Sequence, residues 1–247
     1  MDTISAYDII LIGAGPAGTA CALALENSGL RVALLDQSKF PRDKVCGDAI
    51  PGKALKVLKR INPYFVEQFK EFSPKAKIHS TRIALPNGRS IKHQWVFGGY
   101  NSKRLNFDAF HFGLVQSSAK TELLLGKKIK KIGERDDFVY LQTEHETYRS
   151  KLVVGCDGAN SIVAKKLAGF TLNRKHNLGA VRRYYKNIEN STEGENEVFF
   201  SKKYMPGYFW IFPVGEDIYN VGFGMLSATI SKRKINLTKA LDEVIEE

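Results

Sequence analysis

The sequence predicts an α/β protein in which a parallel sheet built on a βαβ unit is interleaved with an antiparallel, β-rich domain. Three observations predict it. A short β-rich run, Tyr7–Ile12, breaks at the glycine turn Gly13–Gly18 into a helical stretch and a second apolar strand. After a long excursion a further strand, Lys151–Val154, runs into another turn, Gly155-Cys156-Asp157-Gly158. From Leu178 onward short strands follow one another with polar breaks, the spacing of hairpins rather than of crossover helices.

The elements can be justified in order. Small apolar residues at 17, 20, 21, 24, 25 and 28 recur at helical spacing, which puts them on one face of a helix over Ala17 to about Ser28, stopped by Gly29. Arg31–Leu35 (RVALL) reads as a fully buried parallel strand ending in Asp36. Ser38–Ile50, with Pro41 and Gly47, reads as loop, and Gly52–Ile61 and Pro63–Phe72 as helices. Lys75–Leu85 and Ser90–Phe97 read as strands around the turn Pro86-Asn87-Gly88. Asn101 or Ser102 can cap a helix from Lys103 to about Ala119. Short strands are expected at Glu122–Leu125, Lys128–Gly133, Phe138–Thr143 and Thr147–Val154, then a helix to about Ala168. Strands near 178–186, 195–201, 207–214 and 217–226 follow, broken by the polar stretch Asn187–Asn196, and a last helix covers Leu237–Glu247. The expected domains are residues 1–74 and 101–170 for the α/β part and 75–100 and 171–247 for the β-rich part. Discontinuous domains of this kind place a ligand crevice between them.

At 247 residues, 43% apolar and 26% charged, the chain has an ordinary globular composition and ample length for a core. Cys21, Cys46 and Cys156 are an odd number without CxxC spacing, which points to a reducing, cytoplasmic compartment. The start MDTISAYD is acidic rather than a basic signal flank, and no 18 apolar residues run together to span a membrane. Lys plus Arg (37) exceed Asp plus Glu (26), a net charge of +11, with clusters at Lys56–Arg60, Lys127–Lys131 and Lys202–Lys203. That balance suits acidic ligands and leaves peripheral membrane contact open, although lysines scattered over the surface satisfy it too. No cluster interleaves with aromatics, so no nucleic acid is expected as a partner. The histidines at 79, 93, 111, 145 and 176 show neither HExxH nor an i, i+3 or i, i+4 pair, and no metal site is expected. Neither a G-x-S-x-G elbow nor a P-loop G-K-[ST] occurs, which removes hydrolase and nucleotidase readings.

Gly13-Ala14-Gly15-Pro16-Ala17-Gly18 is G-x-G-x-x-G directly after one predicted strand and directly before a predicted helix, the Rossmann-like arrangement. Gly13 permits the tight turn, Gly15 lets a pyrophosphate approach the backbone, Gly18 lets helix pack on strand, and the amides around Ala17 at the helix start attract phosphate. Asp36 stands 18 residues beyond Gly18, near the ~20-residue offset at which a carboxylate accepts ribose hydroxyls. An acid there suits FAD or NAD and disfavours the 2′-phosphate of NADPH. The second strand-to-helix turn, with Asp157 and Gly158, would bring a carboxylate and flexible backbone to the same cofactor, which favours FAD.

With these motifs the chain resembles the flavoprotein monooxygenase superfamily of the aromatic hydroxylase type, and within it the geranylgeranyl reductase family. The resemblance rests on the GAGPAG turn with Asp36, on Lys44-Val45-Cys46-Gly47-Asp48, on Arg104-x-x-Phe107-Asp108 and on Cys156-Asp157-Gly158. Its most specific part is Tyr208-Phe209-Trp210-Ile211-Phe212-Pro213 followed, after eight residues, by Gly222-Phe223-Gly224, similar to the reductases' Y-x-W-x-F-P and G-x-G. It implies that the loop of Lys44, Cys46 and Gly47 passes the flavin ring, with Cys46 as the candidate catalytic residue. It also implies that Arg104 contacts the flavin's phosphate or ribityl region. Tyr208, Trp210 and Phe212 alternate along one strand and so face one side, as do Gly222 and Gly224 on the next, giving apolar walls beside a side-chain-free floor. Such a slot would take a long hydrocarbon, and core packing is the alternative use of the same aromatics.

The expected function is that of an FAD-dependent oxidoreductase that reduces prenyl double bonds by hydride transfer from reduced flavin, with NAD(P)H or reduced ferredoxin as undetermined donor. A flavin-dependent hydroxylase or halogenase of the same fold is the rival within enzymology, and a non-catalytic nucleotide-binding fragment is the rival outside it. The family's third motif, Gly-Asp-Ala-Ala-like and C-terminal, is not in the 247 residues, so the β-rich domain is expected to be incomplete at its C-terminus.

Overall fold

The computed structural model describes residues 4–118 and 120–246. Ala119 and Glu247, the expected ends of two helices, and the first three residues of the acidic start lie outside the described residues. The chain opens with β1 (Ile4–Ile12), α1 (Pro16–Leu25), β2 (Val32–Asp36), β3 (Ala49–Pro51), α2 (Gly52–Ile61) and α3 (Pro63–Glu71). It continues with β4 (Ala76–Ala84), β5 (Ser90–Asn101), α4 (Arg104–Ser118), β6 (Thr121–Leu125), β7 (Lys131–Arg135), β8 (Phe138–Gln142) and β9 (Thr147–Gly155). The remainder is α5 (Ile162–Lys166), β10 (Leu178–Lys186), β11 (Glu195–Phe199), β12 (Gly207–Gly215), β13 (Ile218–Leu226), α6 (Ser227–Arg233) and α7 (Leu237–Glu246).

Two compact units result. The first comprises Met1–Arg42, Ile61–Phe65 and Phe107–Leu172, and the second Asp43–Arg60, Val66–Asn106 and Asn173–Glu247. The expected boundaries therefore shift, with residues 43–60, 66–74 and 101–106 falling in the β-rich unit. The cause is β3, which begins in the last two residues of the segment expected as loop, pairs antiparallel with Gly99–Asn101 of β5 and carries its neighbours with it. Further on, the Phe69 ring of α3 meets Tyr100 edge-on at 5.2 Å.

In the first unit the sheet order is β6-β2-β1-β9-β8-β7. β6, β2, β1 and β9 are parallel, as the βαβ reading requires, while β8 and β7 extend the sheet as an antiparallel edge. Every residue of β2 is buried, and its inward side chains join Tyr7, Ile10, Ile12, Leu141 and Tyr148 in one cluster. The face that α1 buries differs from the expected one: Gly18, Thr19, Ala22 and Leu23 are buried, whereas Ala17 and Ala24 are exposed. The helix is apolar nearly all round, so periodicity could not choose a face, and the contact of Gly18 with the turn before it does.

The second unit's sheet runs β10-β13-β12-β11-β4-β5-β3. It is mixed rather than antiparallel throughout, because β11 pairs parallel with β4 while the other pairs are antiparallel. Strand spacing within 178–226 could not reveal that β4, more than a hundred residues earlier in the chain, joins there. One face buries Phe209, Val221, Phe223 and Met225 against Ala240 and Leu241 of α7. The other carries the alternate residues Tyr208, Trp210 and Phe212.

Candidate nucleotide cradle and aromatic face

In the first unit the two strand-to-helix turns close on each other. Gly13 has φ 103°, donates its N–H to the Leu35 carbonyl at 2.7 Å, and a Cβ on it would stand 2.5 Å from the Cys156 carbonyl oxygen. A Cβ on Gly18 would stand 1.8 Å from the Gly13 carbonyl oxygen. No side chain fits at either place, so strand, turn and helix meet backbone to backbone. Gly15 is the N-cap of α1 and offers no side-chain acceptor, and Pro16 opens the helix. The first-turn amides therefore face outward without a capping acceptor, the condition in which a helix start attracts an anion.

Asp36 ends β2 beside this turn. Its Oδ2 accepts the Ala14 N–H at 2.8 Å and its Oδ1 the Ser38 N–H at 2.8 Å, leaving lone pairs on both oxygens for hydroxyl donors. Asp157 follows β9, where its Oδ2 accepts the Ile162 N–H at 2.6 Å while Oδ1 is buried without a hydrogen-bond partner. Gly158 next to it has φ 77°. Gly13, Gly15, Gly18, Asp36, Asp157 and Gly158 thus gather at the carboxyl ends of β1, β2 and β9, where α/β sheets bind nucleotides. The uncapped helix start after a turn too tight for side chains at Gly13 and Gly18, and the orphaned carboxylate oxygen, fit an adenosine diphosphate moiety such as that of FAD. Burial pushes the Cys21 and Cys156 thiols up from their usual value, so neither is a ready nucleophile.

In the second unit the register joins the predicted motifs across two strands: Tyr208 is opposite Gly224, Trp210 opposite Gly222, and Phe212 opposite Asn220. The floor expected to be open is occupied. A Cβ on Gly222 would stand 2.2 Å from the Trp210 ring, and one on Gly224 would be 3.5 Å from it. The glycine at 222 seats the indole, which is buried, rather than leaving room for a hydrocarbon. A cavity of about 830 Å³ lies on the opposite face, lined by Phe199, Phe209, Ile211 and Val221 with Val244 and Ile245 of α7.

The loop of residues 44–48 lies over the Trp210 face. A Cβ on Gly47 would meet the Phe212 ring at 3.4 Å. Cys46 is half-buried and Lys44 exposed. Asn220, fully buried, holds the loop in place: its Nδ2 donates to the Cys46 carbonyl and to Asp48 Oδ2, both at 2.7 Å, and its Oδ1 accepts the Trp210 Nε1–H at 2.9 Å. Asp48 Oδ2 also accepts the Tyr184 hydroxyl at 2.7 Å, and Oδ1 accepts the backbone N–H of Arg104 at 3.2 Å. Burial holds the Asp48 carboxyl above the usual carboxylate value against these donors, and burial followed by the Asp48 charge pushes the Tyr184 hydroxyl up. Sequence reasoning did not single out Asp48, Tyr184 or Asn220. Asp48 was visible within the KVCGD segment, and Asn220 sits unmarked in the eight-residue gap before Gly222.

A family model described as pyridine nucleotide-disulphide oxidoreductase matches residues 7–198, and one described as geranylgeranyl reductase catalytic domain matches residues 178–247. The chain is 27% identical over 233 residues to the digeranylgeranylglycerophospholipid reductase of Methanococcus vannielii, covering 90% of this chain and 56% of that protein. It is 27% identical over 234 residues to the menaquinone reductase of Mycolicibacterium smegmatis, covering 89% and 55%. The chain therefore spans little more than half the length of these curated relatives. Among solved structures, a geranylgeranyl bacteriochlorophyll reductase-like protein of Thermoplasma acidophilum superposes with TM-score 0.81 at 21% identity, over 99% of this chain and 62% of that one. Pseudomonas aeruginosa PqsL superposes with TM-score 0.73 at 16% identity, over 92% and 63%. The last two likenesses establish the fold. Because the first of the two family models matches residues 7–198, well over half of the chain, the chain belongs to the pyridine nucleotide-disulphide oxidoreductase family, and its residues 178–247 are similar to the geranylgeranyl reductase catalytic domain.

Proposed function

We propose that this chain carries the FAD-binding and prenyl-orienting parts of an oxidoreductase that saturates isoprenoid double bonds in a lipid. What carries the reading is the coincidence of the Tyr208–Gly224 segment with the match to the reductases' catalytic domain. Bound FAD, once reduced, supplies the hydride. In the first unit Gly13, Gly15 and Gly18 give a pyrophosphate access to the backbone, the start of α1 at Ala17 attracts its charge, and Asp36 accepts ribose hydroxyls. Asp157 Oδ1 accepts a further donor, next to the flexible backbone of Gly158. In the second unit the half-buried rings of Tyr208 and Phe212, held on either side of the buried Trp210 indole, orient a prenyl chain and exclude water. Gly222 acts indirectly, by leaving room for the Trp210 indole, and Gly224 adds a small residue at ordinary contact distance from the same ring. On this reading Cys46, with Lys44 and Gly47, belongs to the loop beside the flavin ring, with Cys46 as the candidate catalytic residue, and Arg104 faces the cofactor's polar chain.

The test begins with the visible spectrum of purified protein incubated with FAD, before and after anaerobic reduction. Reduced protein is then given a glycerophospholipid bearing two geranylgeranyl chains, and the lipid is weighed by mass spectrometry for the gain of two hydrogens per double bond. Dithionite, NADH, NADPH and reduced ferredoxin compared as reductants identify the donor. A flavin signal followed by that mass gain supports the proposal. Oxygen uptake with peroxide release and an oxygenated product would show a hydroxylase instead, and failure to take up FAD would leave a nucleotide-binding fragment.

A further inference from the structure

We propose that α2 and the adjoining bulge of β5 form a docking surface for an anionic lipid bilayer. The four residues Lys53, Lys56, Val57 and Arg60 of α2 are spaced i, i+3, i+4 and i+7 and share one exposed face, while Leu58 on the other side is buried. None of the ten residues of α2 is acidic, and among the described residues no ion pair engages Lys53, Lys56 or Arg60.

Beside that face β5 leaves its ladder. Ile78 is opposite Gly99 and Ser80 opposite Gln94, so the four residues Trp95–Gly98 stand against His79 alone. Gly98 takes φ 60° to make the bulge, and Trp95 anchors it by donating Nε1–H to Thr81 Oγ1 at 2.9 Å. Two apolar residues at its tip consequently both point to solvent, Val96 at 87% and Phe97 at 76% exposure, where a regular strand would have turned one of them inward. The helix start is tight against them, since a Cβ on Gly52 would meet the Gly98 carbonyl at 2.8 Å. Lys56 Nζ lies 3.8 Å from the centre of the Phe97 ring. Exposed apolar tips rimmed by like-signed cations match an interface in which the rings enter the acyl boundary and the ammonium groups stay among anionic headgroups. The same charges would repel a second copy of this surface, which argues against self-association through it.

Vesicle flotation tests this on the chain itself, using phosphatidylcholine alone and an equal mixture of phosphatidylcholine and phosphatidylglycerol. The parent is expected to float with the anionic vesicles, to release as salt is raised, and to stay behind with the neutral ones. Each cation removed should weaken partitioning about fivefold, so K53Q/K56Q/R60Q should lose roughly a hundredfold. V96S/F97S should lose about tenfold or more through the apolar contact alone. All five side chains are exposed, and unchanged melting temperatures will show that both variants fold. FAD uptake measured in parallel separates this surface from the flavin chemistry: loss of vesicle binding with unaltered flavin content supports it whatever becomes of the reductase reading. Equal flotation of parent and both variants, equal binding to neutral vesicles, or a parent that dimerises through Phe97 without binding vesicles would overturn it.

Discussion

Gly222 and Trp210 show how far one missing methyl group reaches. The indole lies where a Cβ at 222 would be, and its Nε1–H is taken up by Asn220 on the same strand as the glycine, so ring and floor are mutually defined. Gly222→Ala should therefore overpack the face and cost about 1–3 kcal/mol of unfolding free energy. Gly224→Ala, where the nearest atoms are at ordinary contact distance, should cost much less. Denaturant titration of the two variants checks this, and equal losses would mean that the indole moves freely. The residue types of this motif were legible in the sequence, but their use was not. Alternation puts Trp210 and Gly222 on one face, and it does not say whether a ring lies down on the glycine or stands away from it.

At the level of the element, loop 44–48 is held by polar contacts rather than by regular secondary structure. Asn220 on β13 satisfies the Cys46 carbonyl, one oxygen of Asp48 and the Trp210 indole at once. Asn220→Ala would leave the Trp210 Nε1–H and the Cys46 carbonyl without their partner and Asp48 Oδ2 with the Tyr184 hydroxyl alone, and should cost about 2–4 kcal/mol, read as a lowered denaturation midpoint. Asp48 adds a pH dependence. Burial raises its folded value above the usual 3.8, so its stabilising contribution is full below that value and is lost as pH rises through the folded one. The stability of the parent relative to Asp48→Asn should accordingly fall with rising pH above about 4. Thermal melts of both proteins across mildly acidic to neutral pH check the sign. A difference that rises with pH would mean that the donors Tyr184, Asn220 and Arg104 outweigh burial.

For the molecule as a whole, the two units divide the labour of the proposed reaction, with the dinucleotide cradle in one and the aromatic face in the other. FAD binding to the native state should raise its stability by about 2.7 kcal/mol at a hundredfold excess over Kd, seen as a flavin-dependent rise in melting temperature. Asp36→Ala should shrink that rise by weakening FAD by about 1.5–3 kcal/mol, with some loss of intrinsic stability because the Ala14 and Ser38 amides lose their acceptor. Gly222→Ala, in the other unit, should keep the full rise. An Asp36→Ala protein with an unchanged FAD titration would show that the carboxylate serves only to tie β2 to the glycine turn.

Local periodicity and composition determined the elements of this protein nearly throughout, because helix and strand repeats, glycine turns and caps act over a few residues. The βαβ unit, the G-x-G-x-x-G turn and Asp36 at the end of β2 could all be read that way, since the chemistry of the site is written in consecutive residues. Other features were decided only in three dimensions. They are the face that α1 buries, the parallel pairing of β4 with β11, the strand β3 beginning in an expected loop, and the Asp48–Asn220 pairing across 172 positions. Each of these depends on which distant segment supplies the partner for a backbone edge, a buried carboxylate or an apolar helix. Burial makes such partners obligatory, and the packing of the folded chain chooses them.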